Sequence, residues 1–257
     1  MSGPGLSDKC DLLRSLHQPG TPLLLPNAWD VATAKRVVAA GFPVVATTSA
    51  GVAESLGYAD HEGAPPEEML AAGARVARGV EVPVTVDAEA GYGMEPAALV
   101  AALFDAGAAG CNLEDTDHAA HELRDPEQHG DWLRAVRKAA DARGYPLVIN
   151  ARVDVFIGPF FGGAAPAELA QLVPEAVRRA QTYFEAGADC VYPIALSDPK
   201  QIGHFVAEVG GPVNVIRFPH TPSLPELSEL GVARVSWAAM VYRGLMAHLD
   251  EQLANLS

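Results

Sequence analysis

Three acidic side chains close two successive apolar segments of this sequence. Asp87 and Glu89 end the first segment two residues apart, so their side chains point the same way if the chain is extended there. Glu114 ends the next segment. Three carboxylates brought together would repel one another unless a cation lay among them, and Mg²⁺ takes carboxylates and waters as ligands. The alternative is that one or two of them cap helices or pair with arginine.

One of the apolar segments ends in a positively charged residue. Arg152 closes a further apolar segment, and its guanidinium could bind a carboxylate or phosphonate through two parallel hydrogen bonds. It could also pair with Glu114 or Asp154 inside the protein, and the two roles can coexist. Asn150 lies two residues earlier on the same face, where it could bind substrate or fill a polar layer of the core.

The sequence lacks the motifs of a nucleotide cofactor and a lysine placed to form a Schiff base. Gly91 and Gly93 let the backbone bend beside the acidic residues, but there is no third glycine for a dinucleotide loop and no phosphate-binding lysine motif. No lysine ends a predicted strand, which disfavours an aldolase that forms a Schiff base. The lysines are Lys9, Lys35, Lys138 and Lys200.

The segments that carry these side chains recur eight times, each followed by an alanine-rich helical pattern. Eight such units in 257 residues predict an α/β protein, a (β/α)8 TIM barrel forming one domain over residues 1–257, with an extra N-terminal helix at residues 6–17. Catalytic groups of this fold lie at the carboxyl ends of the strands. The predicted strands are 21–26, 44–48, 84–87, 110–114, 147–152, 189–194, 212–217 and 232–236. The predicted helices are 30–40, 66–78, 96–106, 131–143, 166–186, 198–209, 224–230 and 238–256.

Composition and charge exclude several classes of partner. The chain has 18 Lys plus Arg against 32 Asp plus Glu, a formal net charge of −14, which argues against nucleic acid and against an anionic membrane. Its three cysteines are far apart and predict neither disulfides nor a structural zinc site. Because no leader or membrane-spanning segment is evident, we expect a cytoplasmic protein.

Several of these segments match the motifs of one family. Residues 84–93 (VTVDAEAGYG) resemble the signature PV-x-x-D-x-[DE]-x-GYG of the phosphoenolpyruvate mutase/isocitrate lyase superfamily. Residues 113–115 (LED), 151–154 (ARVD), 55–60 (SLGYAD) and 235–237 (VSW) resemble four further motifs of that superfamily. The resemblance runs from about Leu23 to the C-terminus.

The resemblance implies a metal-dependent enzyme that stabilises the enolate of a 2-oxo acid. Asp87 would hold Mg²⁺, or Mn²⁺, directly or through water, with Glu89 and Glu114 in the same shell. Asp60 would lie beside that shell as a catalytic residue. A fixed cation and oriented donors would stabilise the oxyanion where its charge develops.

The resemblance also implies how substrate and subunits are held. Arg152 would bind the second anionic group of a small 2-oxo acid or phosphonate. Members of the superfamily commonly exchange the last helix between subunits, which implies a homo-oligomer, a tetramer or dimer, unless residues 238–256 cover their own barrel. The first anionic group would be bound by backbone N–H groups near Thr48, Ser49 and Ala50.

The chain departs from the family in the loop after the fourth strand. The lyase branch carries a Cys in the pattern K-[KR]-C-GH there, whereas residues 117–125 (DHAAHELRD) contain neither Cys nor Lys. His118, His121 or Arg124 could supply the missing proton donor or clamp an anion when the loop closes, and we predict His121 as catalytic. The mutase branch carries an Asn in its loop and a His on strand six, which this chain also lacks.

These observations favour a Mg²⁺-dependent lyase that cleaves a carbon–carbon bond in an oxo- or hydroxy-dicarboxylate. One alternative is P–C bond chemistry, as a carboxyphosphonoenolpyruvate-type mutase or a phosphonopyruvate hydrolase. Another is a protein that binds a 2-oxo acid without catalysis, a hypothesis motivated by the missing loop Cys.

Overall fold

A computed structural model describes residues 4–256, which form a parallel barrel surrounded by helices. The strands are β1 (Leu23–Leu25), β2 (Asn27–Ala28), β3 (Val45–Thr47), β4 (Val84–Asp87), β5 (Gly110–Glu114), β6 (Thr116–Asp117), β7 (Glu122–Leu123), β8 (Val148–Val153), β9 (Cys190–Pro193), β10 (Asn214–Ile216) and β11 (Arg234–Ser236). The helices are α1 (Leu6–Ser15), α2 (Val31–Ala39), α3 (Ser49–Leu56), α4 (Pro66–Gly79), α5 (Pro96–Ala106), α6 (Pro126–Ala142), α7 (Ile157–Phe161), α8 (Pro166–Gln171), α9 (Val173–Glu185), α10 (Pro199–Val209), α11 (Leu224–Glu229) and α12 (Met240–Ala254).

The strand order closes into an eight-stave barrel, as predicted. One parallel sheet runs β2-β3-β4-β5-β8-β9, and a second runs β1-β11-β10. A parallel bridge between Val191 and Val213 joins β9 to β10. At the other junction β1 and β2 are the two halves of one stave, interrupted at Pro26, which has no N–H to donate to a neighbouring strand. The short strands β6 and β7 pair antiparallel as a hairpin outside the barrel.

The barrel forms because its strands are buried on both faces and its helices end in glycine where the chain must turn back. Every residue of β3, β5 and β8 is buried. Gly107 and Gly187 have φ values of 74° and 102°, the left-handed conformation that ends a helix and favours glycine. A Cβ at Gly187 would also lie 2.9 Å from Cγ of Arg137, so that position excludes a side chain for a second reason.

Three helical regions differ from the sequence-based expectation. Residues 49–56, between the predicted strand 44–48 and the predicted helix 66–78, form the additional helix α3, which ends at Gly57 with φ 90°. The helix expected at residues 131–143 begins earlier, at Pro126, because Asp125 caps it and proline is well suited to the first helical turn. The single helix expected at 166–186 is divided into α8 and α9, and α7 precedes them.

The extra N-terminal helix is present and is fastened to the wall of the barrel. Leu13 of α1 is fully buried in the core. Arg14 donates to Asp189 at 2.8 Å, and Arg137 of α6 donates to the same carboxylate at 2.6 Å. Asp189 therefore connects α1, α6 and the start of β9. Within residues 4–256, none of the helices is long and apolar enough to cross a membrane.

Candidate active site

A cavity at the mouth of the barrel brings together most of the predicted site residues. Its volume is about 330 Å³, and it lies where the carboxyl ends of the strands meet. A larger cavity, of about 870 Å³, lies between the β6–β7 hairpin and the helices α6 and α9, and of the candidate residues Arg124 lines it. The predicted residues that line the smaller cavity are Thr48, Ser49, Ala50, Asp60, Asp87 and Arg152.

Asp87 is held at the end of β4 against the start of α3. Its Oδ2 accepts the backbone N–H of Ser49 at 3.0 Å, and its own N–H donates to Oγ1 of Thr47 at 2.8 Å. The positive end of a helix dipole stabilises a carboxylate in this place. The unexpected helix α3 therefore has a role in the site, because it orients both the Asp87 carboxylate and the N–H groups beside it.

Glu89 lies buried behind Asp87 in a strained segment. Its backbone φ is 47°, a left-handed value that is uncommon outside glycine. Its Oε2 accepts the backbone N–H of Glu62 at 2.5 Å. Burial, together with the neighbouring carboxylates of Asp87, Asp60 and Glu114, raises the pKa of Glu89 to about 8. The acidic residues are therefore close enough to repel one another.

Arg152 is clamped by two buried carboxylates. Its Nε donates to Oδ1 of Asp154 at 2.6 Å and its Nη2 donates to Oδ2 at 2.8 Å. Nη2 also lies 2.6 Å from Oε2 of Glu114, whose Oε1 is 2.5 Å from Nε2 of His118. Although burial opposes the charge, Asp154 and Glu114 raise the pKa of Arg152 further above its usual range. The structural role of Arg152 therefore coexists with its position in the wall of the cavity.

The acidic residues fit a divalent cation that retains much of its water. Within residues 4–256, no three His, Cys, Asp or Glu side chains converge tightly enough to ligate an ion directly. Oδ1 of Asp60 is nevertheless buried without a hydrogen-bond partner. The neighbouring carboxylates also repel a negative charge on Glu89, and a bound cation would offset this repulsion. Mg²⁺ is typically bound by one or two carboxylates and several waters, which suits this arrangement.

Besides the buried Glu89 and Glu114, two predicted site residues, Asn150 and His121, do not line the cavity. Asn150 is fully buried inside the barrel, where its Nδ2 donates to Oδ1 of Asn112 at 2.8 Å, so it belongs to the polar layer of the core. His121 is exposed in the turn of the β6–β7 hairpin, with φ 56°. Of the histidines in that loop, His118 is the one turned towards the acidic residues, through its contact with Glu114.

The sequence analysis did not predict two ionisable residues of the cavity wall, His61 and Arg243. His61 lines the cavity beside Asp60, and its ring lies 5.2 Å from that of His118. Arg243, from the first turn of α12, also lines the cavity. The only sequence signal for either was its place directly after a site motif, since Asp60 precedes His61 and the strand-eight motif precedes α12.

The outer helix α9 braces the Arg152 clamp through Asp115. Oδ1 of this fully buried carboxylate accepts the backbone N–H of Asp154 at 2.8 Å. Its Oδ2 accepts from Nη1 of Arg179 at 2.9 Å and from the hydroxyl of Tyr183 at 2.6 Å. Arg179 also donates to the backbone oxygen of Arg124, at the end of the hairpin. One outer arginine therefore holds both the clamp and the hairpin.

Comparison with known proteins finds similarity over most of the chain. A family model for phosphoenolpyruvate phosphomutase matches residues 13–257. An uncharacterised protein of Mycobacterium tuberculosis is 34% identical over 227 residues, which cover 88% of this chain and 81% of that protein. A Corynebacterium glutamicum protein provisionally named 2-methylisocitrate lyase 2 is 31% identical over 244 residues, covering 91% and 76%. A solved structure from Burkholderia cenocepacia, provisionally named a phosphonomutase, is 38% identical with a TM-score of 0.89, covering 98% of this chain and 100% of its own.

Replacing Arg179 by methionine should destabilise the protein strongly. The substitution leaves the Asp115 carboxylate buried without its cation, which should lower the free energy of unfolding by about 3–5 kcal/mol. Among the described residues the adjacent Arg178 pairs with Glu175 and Glu127 at the exposed surface, so Arg178→Met should cost less than about 1 kcal/mol. Urea denaturation of both variants checks this, and equal losses would show that Asp115 does not depend on Arg179.

Proposed function

Because the chain belongs to the phosphoenolpyruvate mutase/isocitrate lyase superfamily, we propose that it is a Mg²⁺-dependent carbon–carbon lyase. Its substrate would be a small oxo- or hydroxy-dicarboxylate, and the reaction would form or consume the enolate of a 2-oxo acid. The observation that supports this most is that Asp60, Asp87 and Arg152 line one cavity. Acidic residues for a metal and a cation for an anionic substrate are the two components that such chemistry needs.

The metal would be held by Asp87, with Asp60, Glu89 and Glu114 contributing through water. Mn²⁺ could replace Mg²⁺, because both prefer oxygen ligands. When bound, the ion supplies a positive charge that stabilises a developing oxyanion. Asp87 is the best direct ligand because it lines the cavity and is only partly buried, whereas Glu89 and Glu114 are almost fully buried.

The two ends of the substrate would be bound by different parts of the chain. N–H groups at the start of α3 have no partner within the helix and can bind a carboxylate. The N–H of Ser49 already donates to Asp87, so the N–H of Ala50 is the more available of the two. Arg152 and Arg243 also line the cavity and would bind the second anionic group.

Proton transfer is best assigned to the histidines beside the acidic residues. His61 lines the cavity and lies against His118, which is bonded to Glu114. A role for His121 would require the β6–β7 hairpin to fold over the mouth. We therefore propose that His61, rather than His121, exchanges a proton with the substrate. His118 would hold the ring of His61 in position.

Chemistry at a P–C bond is the second candidate. It is favoured by the 38% identity to the structure provisionally named a phosphonomutase, and the Arg152 and Arg243 pair also suits a phosphonate. Assays with oxaloacetate, 2-methylisocitrate and phosphonopyruvate separate the two chemistries, since only the last can release or rearrange phosphorus. Metal-dependent oxalate binding without turnover of any substrate would instead favour a binding protein.

The C-terminal helix offers a surface for a second copy of this chain. Val241, Leu245, Leu249 and Leu253 of α12 recur every fourth residue and are 39–53% exposed. Residues at this spacing lie on one face of a helix, and an apolar face of this length is costly to leave in water. We propose that it is covered in a homo-oligomer, a dimer or tetramer, rather than left open.

Replacing Asp87 by asparagine should abolish the effect of the metal. We expect Mg²⁺ to raise the melting temperature of the wild type but not of Asp87→Asn, because the amide cannot supply the charge that holds the ion. Turnover should fall by more than about 100-fold. Without metal the variant should be no less stable, since one repelling charge is gone. Asp105→Asn, on the exposed face of α5, is the control, and a metal response that survived in Asp87→Asn would contradict the proposal.

Replacing Leu249 by glutamate should reduce the oligomer to smaller species. A carboxylate in the centre of the apolar face would be buried unpaired in the interface, which is strongly unfavourable. Ala247→Glu, which adds the same charge at an exposed residue on the opposite face of the helix, should leave the assembly unchanged. Sedimentation velocity at equal concentrations measures this, and a monomeric wild type would refute the proposed interface.

A further inference from the structure

The cavity at the barrel mouth has one apolar side that the proposed chemistry does not use. The acidic groups, Arg152 and the start of α3 occupy its other side. The apolar side, called here the apolar wall, is contributed by α7, the ends of β9 and β10 with their following loops, and the start of α12. It consists of Ile157, Phe161, Ile194, Ile216, Phe218 and Met240.

The apolar wall is held rigidly where it meets the barrel. Ile216 belongs to β10 and is buried. The ring of Phe218 stacks on Phe160 at 5.5 Å and on His220 at 5.4 Å, with interplanar angles of 12° and 14°. Stacked rings of this kind hold one another in place. The inner part of the wall, at Ile216 and Phe218, is therefore a preformed surface.

At the entrance the same wall is open to water. The side chain of Phe161 is 68% exposed, although the ring of Phe160 lies 5.2 Å away. A single exposed phenylalanine would be unremarkable, but this one continues a patch of five further apolar residues that faces a charged site. Binding of a ligand that covered this patch would be favoured, because it would remove apolar surface from water.

The six side chains of the apolar wall carry no group that could bind a charge, and the cation at its edge is Arg243, in the same turn of α12 as Met240. A carboxylate or phosphonate placed against these six side chains would lose its water without a replacement partner, which is costly. The cavity, at about 330 Å³, lies at the lower end of the range of pockets that enclose drug-sized ligands. A three-carbon enolate on the acidic side would leave the wall uncovered.

We propose that the substrate of this site carries an apolar substituent of at least three carbons, an alkyl chain or an aromatic ring, which packs on the apolar wall. This inference rests on the proposed function, because it places the reacting 2-oxo acid at the acidic side. It assigns Ile216 and Phe218 to the base of the subsite and Phe161 to its entrance. Unsubstituted dicarboxylates would then be poor substrates.

The test measures affinity against chain length. Calorimetry in the presence of Mg²⁺ is carried out with oxalate and with the straight-chain 2-oxo acids from pyruvate to 2-oxohexanoate. Each added methylene that reaches the wall should tighten binding about fourfold. Phe161→Ala should flatten the last steps of this series. Phe104→Ala is the matched control, because Phe104 is also an exposed phenylalanine but lies on α5, away from the cavity.

The outcomes separate this inference from the proposed function. Oxalate binding with a flat series of 2-oxo acids would overturn the apolar subsite and leave the metal site standing. A steep series that Phe161→Ala flattens, without Mg²⁺-dependent oxalate binding, would support the subsite and overturn the proposed function. Affinities that respond equally to Phe161→Ala and Phe104→Ala would overturn the subsite, and absence of binding by every acid would overturn both.

Discussion

Repulsion among carboxylates at one end of a barrel is the constraint on which the rest of this structure depends. Burial, together with the neighbouring carboxylates of Asp87, Asp60 and Glu114, raises the pKa of Glu89 to about 8. Arg152 offsets part of this charge, but Asp154 also occupies its guanidinium. The remaining negative charge is unfavourable by itself, and a bound cation that in turn binds an anionic ligand would neutralise it.

Much of the fold can be understood as the support for that arrangement. The start of α3 holds Asp87, the strained backbone at Glu89 is held by the N–H of Glu62, and the buried Asp115 fixes the segment that carries Asp154. These contacts come from segments far apart in the chain. Preorganisation of this kind lets a site stabilise developing charge without reorganising at the moment of reaction.

Sequence reasoning succeeded where local periodicity decides the outcome and failed where distant segments meet. The bounds of β4 and β5 and the inward direction of Asp87 and Glu114 follow from the two-residue period of a strand. Whether His118 or His121 points towards the acidic residues depends on the turn of a hairpin. Whether Arg243 lines the cavity depends on where the last helix packs against the mouth of the barrel. Neither is encoded in a local pattern. Helix α3 was missed because its small and polar residues resemble a loop.

The most direct test of the account is a crystal structure of the protein soaked with Mg²⁺ and oxalate, a planar analogue of the pyruvate enolate. The account predicts one ion beside Asp87, with water between the ion and the carboxylates of Glu89 and Glu114, and oxalate between the ion and the start of α3. Oxalate bound elsewhere, or a mouth of the barrel without an ion at saturating Mg²⁺, would contradict it.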